Sequence, residues 1–247
     1  MKYYAADAII IKAMNYGEST RIFTLFSREY GKLSAIAKGV KRPKSTMKGH
    51  LQLGNRCNLM LYQGKSMDTI SQAVALETYP QIRSNPQAYL YVSYFMELLN
   101  IALPEKESNS AVFDLTHQVF SKIDNKNTES MARYFEINLM TLIGYEVDFK
   151  RCSNCGEPLK EGYLSSRFPG PICKDCGGGV FISPQAIYGL DYYNKTPIEQ
   201  LNRLKLNEET EKIMAKVMQE LVAYHLERRI KSLDIIRNSL WTKPDVR

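Results

Sequence analysis

Apolar and polar positions alternate with a period of two through much of the first 80 residues, then change to a helical spacing. Residues 6–12 are β-branched and apolar. Residues 20–26 set Ile22, Thr24 and Phe26 on one face and Arg21, Phe23 and Leu25 on the other. Residues 32–38 alternate Leu33, Ala35 and Ala37 with Ser34, Ile36 and Lys38. Two further strand-like runs, 56–62 and 67–76, flank Gln63-Gly64-Lys65-Ser66. Period two is the signature of a half-buried strand, and Asn15-Tyr16-Gly17-Glu18 and Arg28-Glu29-Tyr30-Gly31 punctuate the runs as turns. Five short strands with a gap between the third and fourth predict a small closed barrel of the OB type.

After Tyr79-Pro80 the spacing becomes helical. Leu90, Tyr94, Leu98 and Ile101 form a stripe within 86–103 that ends at Pro104. Residues 110–123 and 129–143 predict two more amphipathic helices, the second with Met131, Phe135, Leu139 and Leu142 on one face and Gly144 as its stop. Ser183-Pro184 reads as an N-cap followed by proline at the first helical position. Asn207-Glu208-Glu209 opens a long helix with a stripe of Ile213, Val217, Leu221 and Leu226, running into Arg228-Arg229-Ile230-Lys231.

Between the helical stretches lie two like knuckles, Cys152-Ser153-Asn154-Cys155-Gly156 and Cys173-Lys174-Asp175-Cys176-Gly177. A C-x2-C turn aims two sulfurs at one point, and two such turns complete a tetrahedron. Glycine after each second cysteine permits the positive φ such a turn needs. Four thiolates leave no open coordination position, so a bound metal there is structural. Zinc suits the set best, iron is an alternative, and disulfides or a dithiol redox site are a third reading. Cys57 is left over and reads as a buried apolar residue.

The chain thus reads as an α+β multidomain protein: an OB-fold barrel at 1–80, a first helical part at 81–150, a zinc-binding module at 151–182, and a second helical part with a basic tail after Leu240 at 183–247. No apolar run approaches the ~18 residues of a membrane helix, and Ile9-Ile10-Ile11 is too short for a signal-peptide core. The expectation is a cytoplasmic protein with no membrane partner.

Charge sharpens this picture. The net charge is +7, and residues 1–80 alone carry 12 basic against 5 acidic side chains. Residues 81–150 carry an excess of three acids. No acidic residue occurs between Tyr30 and Met67, where Lys32, Lys38, Lys41, Arg42, Lys44 and Lys48 lie. Such a concentration is the footprint of a polyanion binder, with Tyr16, Tyr30 and Tyr62 as possible stacking faces. The competing account is a solvated loop that only keeps the barrel soluble. Gly64-Lys65-Ser66 lacks the upstream glycine of a phosphate-binding loop, since residue 59 is Leu. His50, His117 and His225 sit near no nucleophile motif, so no catalytic residue and no enzymatic activity is expected.

Tyr16-Gly17-Glu18-Ser19-Thr20-Arg21-Ile22-Phe23-Thr24-Leu25-Phe26, Tyr30-Gly31-Lys32, Ala37-Lys38-Gly39-Val40-Lys41-Arg42, Leu142–Phe149 and Arg229-Ile230-Lys231-Ser232 together resemble RecO, a family of bacterial recombination mediators. The resemblance covers most of the chain. It implies binding to single- and double-stranded DNA, annealing of complementary strands, and, with RecR, loading of RecA onto DNA coated by single-strand binding protein, in a cytoplasmic and nucleoid-associated setting. Carried onto this sequence it implies DNA contacts at Arg21, Lys38, Lys41 and Arg42; Lys44 and Lys48 are added from charge. It implies one zinc ion on Cys152, Cys155, Cys173 and Cys176. It also implies capture of the acidic tail of single-strand binding protein by the helical region, for which Arg133 is the candidate cation. The reading from another class is a zinc-ribbon and OB scaffold of transcription or translation that grips RNA, and a metal or thiol enzyme is a third.

Overall fold

In the computed structural model, which describes residues 2–236, five strands close into a barrel: β1 (Tyr3–Tyr16), β2 (Thr20–Ser27), β3 (Gly31–Ala37), β4 (Arg56–Tyr62) and β5 (Asp68–Glu77). The order around it is β1-β2-β3-β5-β4, antiparallel except for the parallel β3–β5 pair, the arrangement of an OB fold. β1 is longer than the alternation indicated, because it bends to pair with both β2 and β4 and shifts register between Ile10 and Lys12. The first turn accordingly starts at Gly17, whose φ is +68°, within the expected Asn15-Tyr16-Gly17-Glu18 but two residues into it.

Side chains fill the barrel. Ala6, Ala8, Ile10, Phe23, Leu25 and Leu59 are among those packed inside it. Alternation in β2 nevertheless has apolar residues on both faces: Phe26 points outward and is fully buried against Phe113, with ring centroids 5.7 Å apart. Phe113 belongs to α3 (Ser110–Lys122), which follows α1 (Pro80–Arg83) and α2 (Pro86–Ala102). These helices are tied to the barrel by polar contacts too. Arg28 pairs with Asp114, Lys32 Nζ donates to the Asn100 carbonyl at 2.8 Å, and Gly31 at φ +68° has no room for a Cβ against the Glu107 carbonyl.

The segment between β3 and β4 has no helix or strand, yet it is built into the core. Val40 and Leu51 are buried in the barrel cluster and Met47 packs on it. Backbone bonds from Lys41 N to Ser19 O, at 3.0 Å, and from Leu51 N to Met47 O, at 3.0 Å, hold its course. His50 fastens the far end: its carbonyl accepts from Asn55 Nδ2 at 2.8 Å and its Nδ1 accepts from Ala75 N of β5 at 3.1 Å.

The described residues fall into two compact units, one of residues up to 124 with the last described residues from 234, the other of 125–233. The division cuts the 81–150 stretch: α1–α3 accompany the barrel, and α4 (Thr128–Leu142) opens the second unit. There α4 packs with α5 (Pro184–Lys195) and α6 (Glu208–Leu226), α5 and α6 so close that a Cβ on Gly189 would lie 2.7 Å from Met214 Sδ. Ser183 and Asn207 cap α5 and α6 through their side chains, accepting from Ala186 N and Thr210 N, and Gly144 ends α4 at φ +94°. α6 stops at Leu226, where Glu227 turns left-handed at φ 48°, short of the Arg228 and Arg229 expected in its last turn. A strand pair, β6 (Gly162–Leu164) and β7 (Val180–Ile182), lies in the cysteine segment. The short α7 (Lys231–Ile236) ends the description, and the basic tail expected after Leu240 lies outside the described residues.

The loop anchors generate a prediction. Leu51→Ala should cost about 2–5 kcal/mol of stability through the lost apolar contact and the cavity left behind. Lys48→Ala, at an exposed position three residues earlier, should stay within about 0.5 kcal/mol. Denaturant unfolding of both variants checks this; equal effects would show that the loop is not part of the core.

Candidate nucleic-acid interface and metal centre

The apolar anchors of the β3–β4 segment decide where its cations go. With Val40, Met47 and Leu51 turned inward, Lys38, Arg42, Lys44 and Lys48 are exposed and Lys41 is half-buried. None of the five has an ion pair among the described residues. Lys41 Nζ makes only a 3.4 Å contact to the Gly17 carbonyl. Gly39, at φ +71°, turns the chain so that Lys38 and Arg42 line one side of a cavity of about 640 Å³ whose other side is the β1–β2 turn. Tyr16, 59% exposed, lines the same cavity. Arg21 lines a neighbouring cavity, half-buried, with Nε donating to Asn15 Oδ1 at 3.1 Å. Lys32 is not part of this surface: it is buried and spends its ammonium on Asn100. Tyr30 and Tyr62 are committed to edge contacts with Tyr4 and Tyr3, at 4.9 and 5.1 Å.

The knuckles bring all four cysteine sulfurs within 4.8 Å of one another. Four sulfurs on a tetrahedron with metal–sulfur bonds of about 2.3 Å stand about 3.8 Å apart, and Cys155 Sγ and Cys173 Sγ are separated by 3.7 Å. That spacing is a shared-metal spacing and far beyond a disulfide bond. Gly156 adopts φ +77° and Gly177 φ +149°, the freedom the spacing predicted. Two N–H donors aim at sulfur, Cys173 N at Cys152 Sγ and Asn154 Nδ2 at Cys176 Sγ, both at 3.3 Å.

Burial alone pushes the Cys152 thiol up, but backbone N–H groups of Cys155, Cys173 and Asn154 outweigh it and bring it down to about 6. At Cys155 the Glu157 N–H favours the thiolate, yet the sulfurs of Cys152 and Cys176 push it up to about 12. Crowded thiols divide in this way because neighbouring negative charges repel, and a cation removes the conflict. The four cysteines can therefore hold a metal ion. The module is anchored just ahead of its first knuckle, where Asp191 of α5 takes Lys150 Nζ and Lys195 Nζ, each at 2.6 Å. Burial raises the Asp191 carboxyl, and the two ammonium groups overcome it and hold it below its usual range.

Arg133, the candidate cation for an acidic tail, lies in the interior of the second unit. It is 1% exposed, and its Nε and Nη2 donate to Glu136 at 2.6 and 2.9 Å, one turn along α4. Glu136 is itself fully buried. Glu211 of α6 and Tyr193 of α5 are close enough to feel one another, and burial raises both. An incoming acidic tail would have to break this pair to reach the Arg133 guanidinium. The three histidines are likewise taken: His50 as above, His117 Nδ1 with Tyr79 Oη at 2.8 Å, and His225 Nε2 against the Pro169 carbonyl at 3.1 Å.

Residues 1–79 match the family described as "Recombination protein O N terminal", and residues 83–234 match "Recombination protein O C terminal". A protein of Pelotomaculum thermopropionicum named "DNA repair protein RecO" is 33% identical over 94% of this chain and 93% of its own. Proteins of the same name from Clostridium acetobutylicum and Dehalococcoides mccartyi are 30% and 32% identical, over 96% and 93% of this chain and 98% and 93% of theirs.

The buried pair yields the prediction here. Arg133→Met leaves Glu136 without its cation in the interior, so it should destabilise the fold by about 3–5 kcal/mol. Arg133→Met with Glu136→Leu, which removes both charges, should recover most of that loss. Thermal melts followed by circular dichroism test it, and a single variant as stable as the parent would show that the pair contributes nothing.

Proposed function

The chain belongs to the RecO family, and from that membership we propose that it is a DNA repair and recombination protein that binds DNA through its barrel. The finer reading is a mediator that anneals complementary strands and, with RecR, helps load RecA onto DNA coated by single-strand binding protein. The observation that carries it is the acid-free β3–β4 segment: its apolar side chains are locked into the barrel core while Lys38, Arg42, Lys44 and Lys48 face solvent with no ion-pair partner among the described residues. A loop serving only solubility needs no such anchoring. Pinned cations lose little freedom on meeting phosphates, which favours binding. Lys41 and Arg21 extend the same surface along the β1–β2 hairpin.

On this reading both single- and double-stranded DNA are ligands, held by charge rather than by base identity. Its partners are RecR and the acidic tail of single-strand binding protein, with RecA acting downstream. The tail would meet the second unit at its surface, with Arg133 fixing α4 from inside. On this reading the protein works without catalysis, in the cytoplasm at the nucleoid. No helix among the described residues is long and apolar enough to cross a membrane. The ion at Cys152, Cys155, Cys173 and Cys176 is zinc, which four thiolates in a tetrahedron suit and which would fix the module without taking part in reactions.

Two measurements test these statements. Neutralising Lys41 and Arg42 together should weaken binding to every single strand and flatten the slope of log K against log salt by about 1.4, at about 0.7 per phosphate contact. Annealing should slow with it; a slope equal to the parent's would remove the loop as the DNA grip. Elemental analysis of protein purified under reducing conditions should find zinc at one ion per chain. Cys173→Ser should lower both zinc content and melting temperature, since binding energy at such a site is folding energy. Stoichiometric iron, or no metal, would overturn the assignment.

A further inference from the structure

Beside the basic loop, the barrel unit has a second cavity, of about 350 Å³, whose lining holds no acidic side chain. Two guanidinium groups reach it from different parts of the chain, Arg21 from β2 and Arg83 from the end of α1. Each uses one N–H on a neutral amide: Arg21 on Asn15, and Arg83 Nη2 on Asn55 Oδ1 at 2.5 Å. Neither has a carboxylate partner among the described residues, although a guanidinium offers five donors. Arg28 and Arg56 of the same unit are each matched to an aspartate, Asp114 and Asp7. Along the same wall lie Tyr89 of α2 and Leu53, 47% and 40% exposed. Unmatched cations beside an open aromatic face suit a ligand that is anionic and flat at once. A nucleotide has that chemistry: the phosphate meets the guanidinium fork and the base stacks on the ring.

We propose that the cavity bounded by Arg21, Arg83, Leu53 and Tyr89 is a nucleotide subsite that takes one unpaired base and its phosphate from a single DNA strand. It rests on the reading that this protein binds DNA, and it extends the strand's path from Lys38 and Arg42 across the β1–β2 hairpin onto the helices that follow the barrel. Arg21 belongs to both stretches, because Asn15 and Arg21 line this cavity while Tyr16 and Thr20, their chain neighbours, line the one beside the loop. A base held in duplex cannot present its face to Tyr89, so the subsite selects single strands.

The test measures the affinity of the full-length protein for an oligothymidylate and for a duplex of equal length, across salt concentrations. Tyr89→Ala should weaken single-strand binding about tenfold, the loss of one base–aromatic stack, and leave duplex binding unchanged. Tyr89→Phe keeps the ring and should bind like the parent. Arg83→Gln should flatten the single-strand salt slope by about 0.7. Melting temperatures confirm that the variants are folded, as expected for exposed positions. Parent affinity in Tyr89→Ala, or equal losses on single strands and duplex, would overturn the subsite while leaving the DNA-binding reading intact. A parent protein with no salt-dependent affinity for DNA would overturn both.

Discussion

A barrel of five short strands is hard to close, and in this protein the seam between β3 and β5 is its weakest line. Only Ala35–Asp68 and Ile36–Thr69 pair across it. The β3–β4 segment completes the job: Val40, Met47 and Leu51 enter the same apolar cluster as Phe23, Leu25 and Leu59, and His50 takes up the Ala75 N–H of β5. Everything at the basic surface depends on this arrangement, because the residues that complete the core alternate with those that carry charge. Lys38 precedes buried Val40 by two positions and Lys48 follows half-buried Met47 by one.

The second unit is organised differently. α4 buries residues on every side, among them Met131, Ala132, Arg133, Phe135, Glu136 and Leu139, so it can tolerate polarity only where charge is matched internally. Arg133 and Glu136 meet that demand at a separation of one turn. The cysteine module hangs from the same unit by Lys150 and Asp191, so the four-cysteine cluster and a helix packing surface share one electrostatic clasp.

Much of this was legible in the chain. Alternation or apolar β-branched runs marked the five strands, apolar stripes marked α2, α4 and α6, an N-cap with proline marked the start of α5, and knuckle spacing marked the cysteine cluster. What escaped has physical causes. The length of β1 was hidden because a strand that pairs on both edges and bends shows no single alternating face. Which face of β2 turns inward was not legible, because Phe26 on the outer face is as apolar as Phe23 inside, being covered by Phe113 of α3. Arg133 lies two positions from Met131, off the apolar stripe of α4, and it is buried because that helix is covered on every side. Arg83 and Tyr89 gave no signal, since their meaning comes from a cavity shared with Arg21 and Leu53, residues distant in sequence.

The interleaving of core and charge in the β3–β4 segment also ties the placing of its cations to the closure of the barrel. The cations hold their positions only while Val40, Met47 and Leu51 are seated, so a molecule with an opened barrel presents them on a flexible chain. Such a chain must surrender its conformational freedom at each phosphate it meets. On the proposed DNA-binding reading, a copy with an opened barrel would therefore compete poorly for a strand.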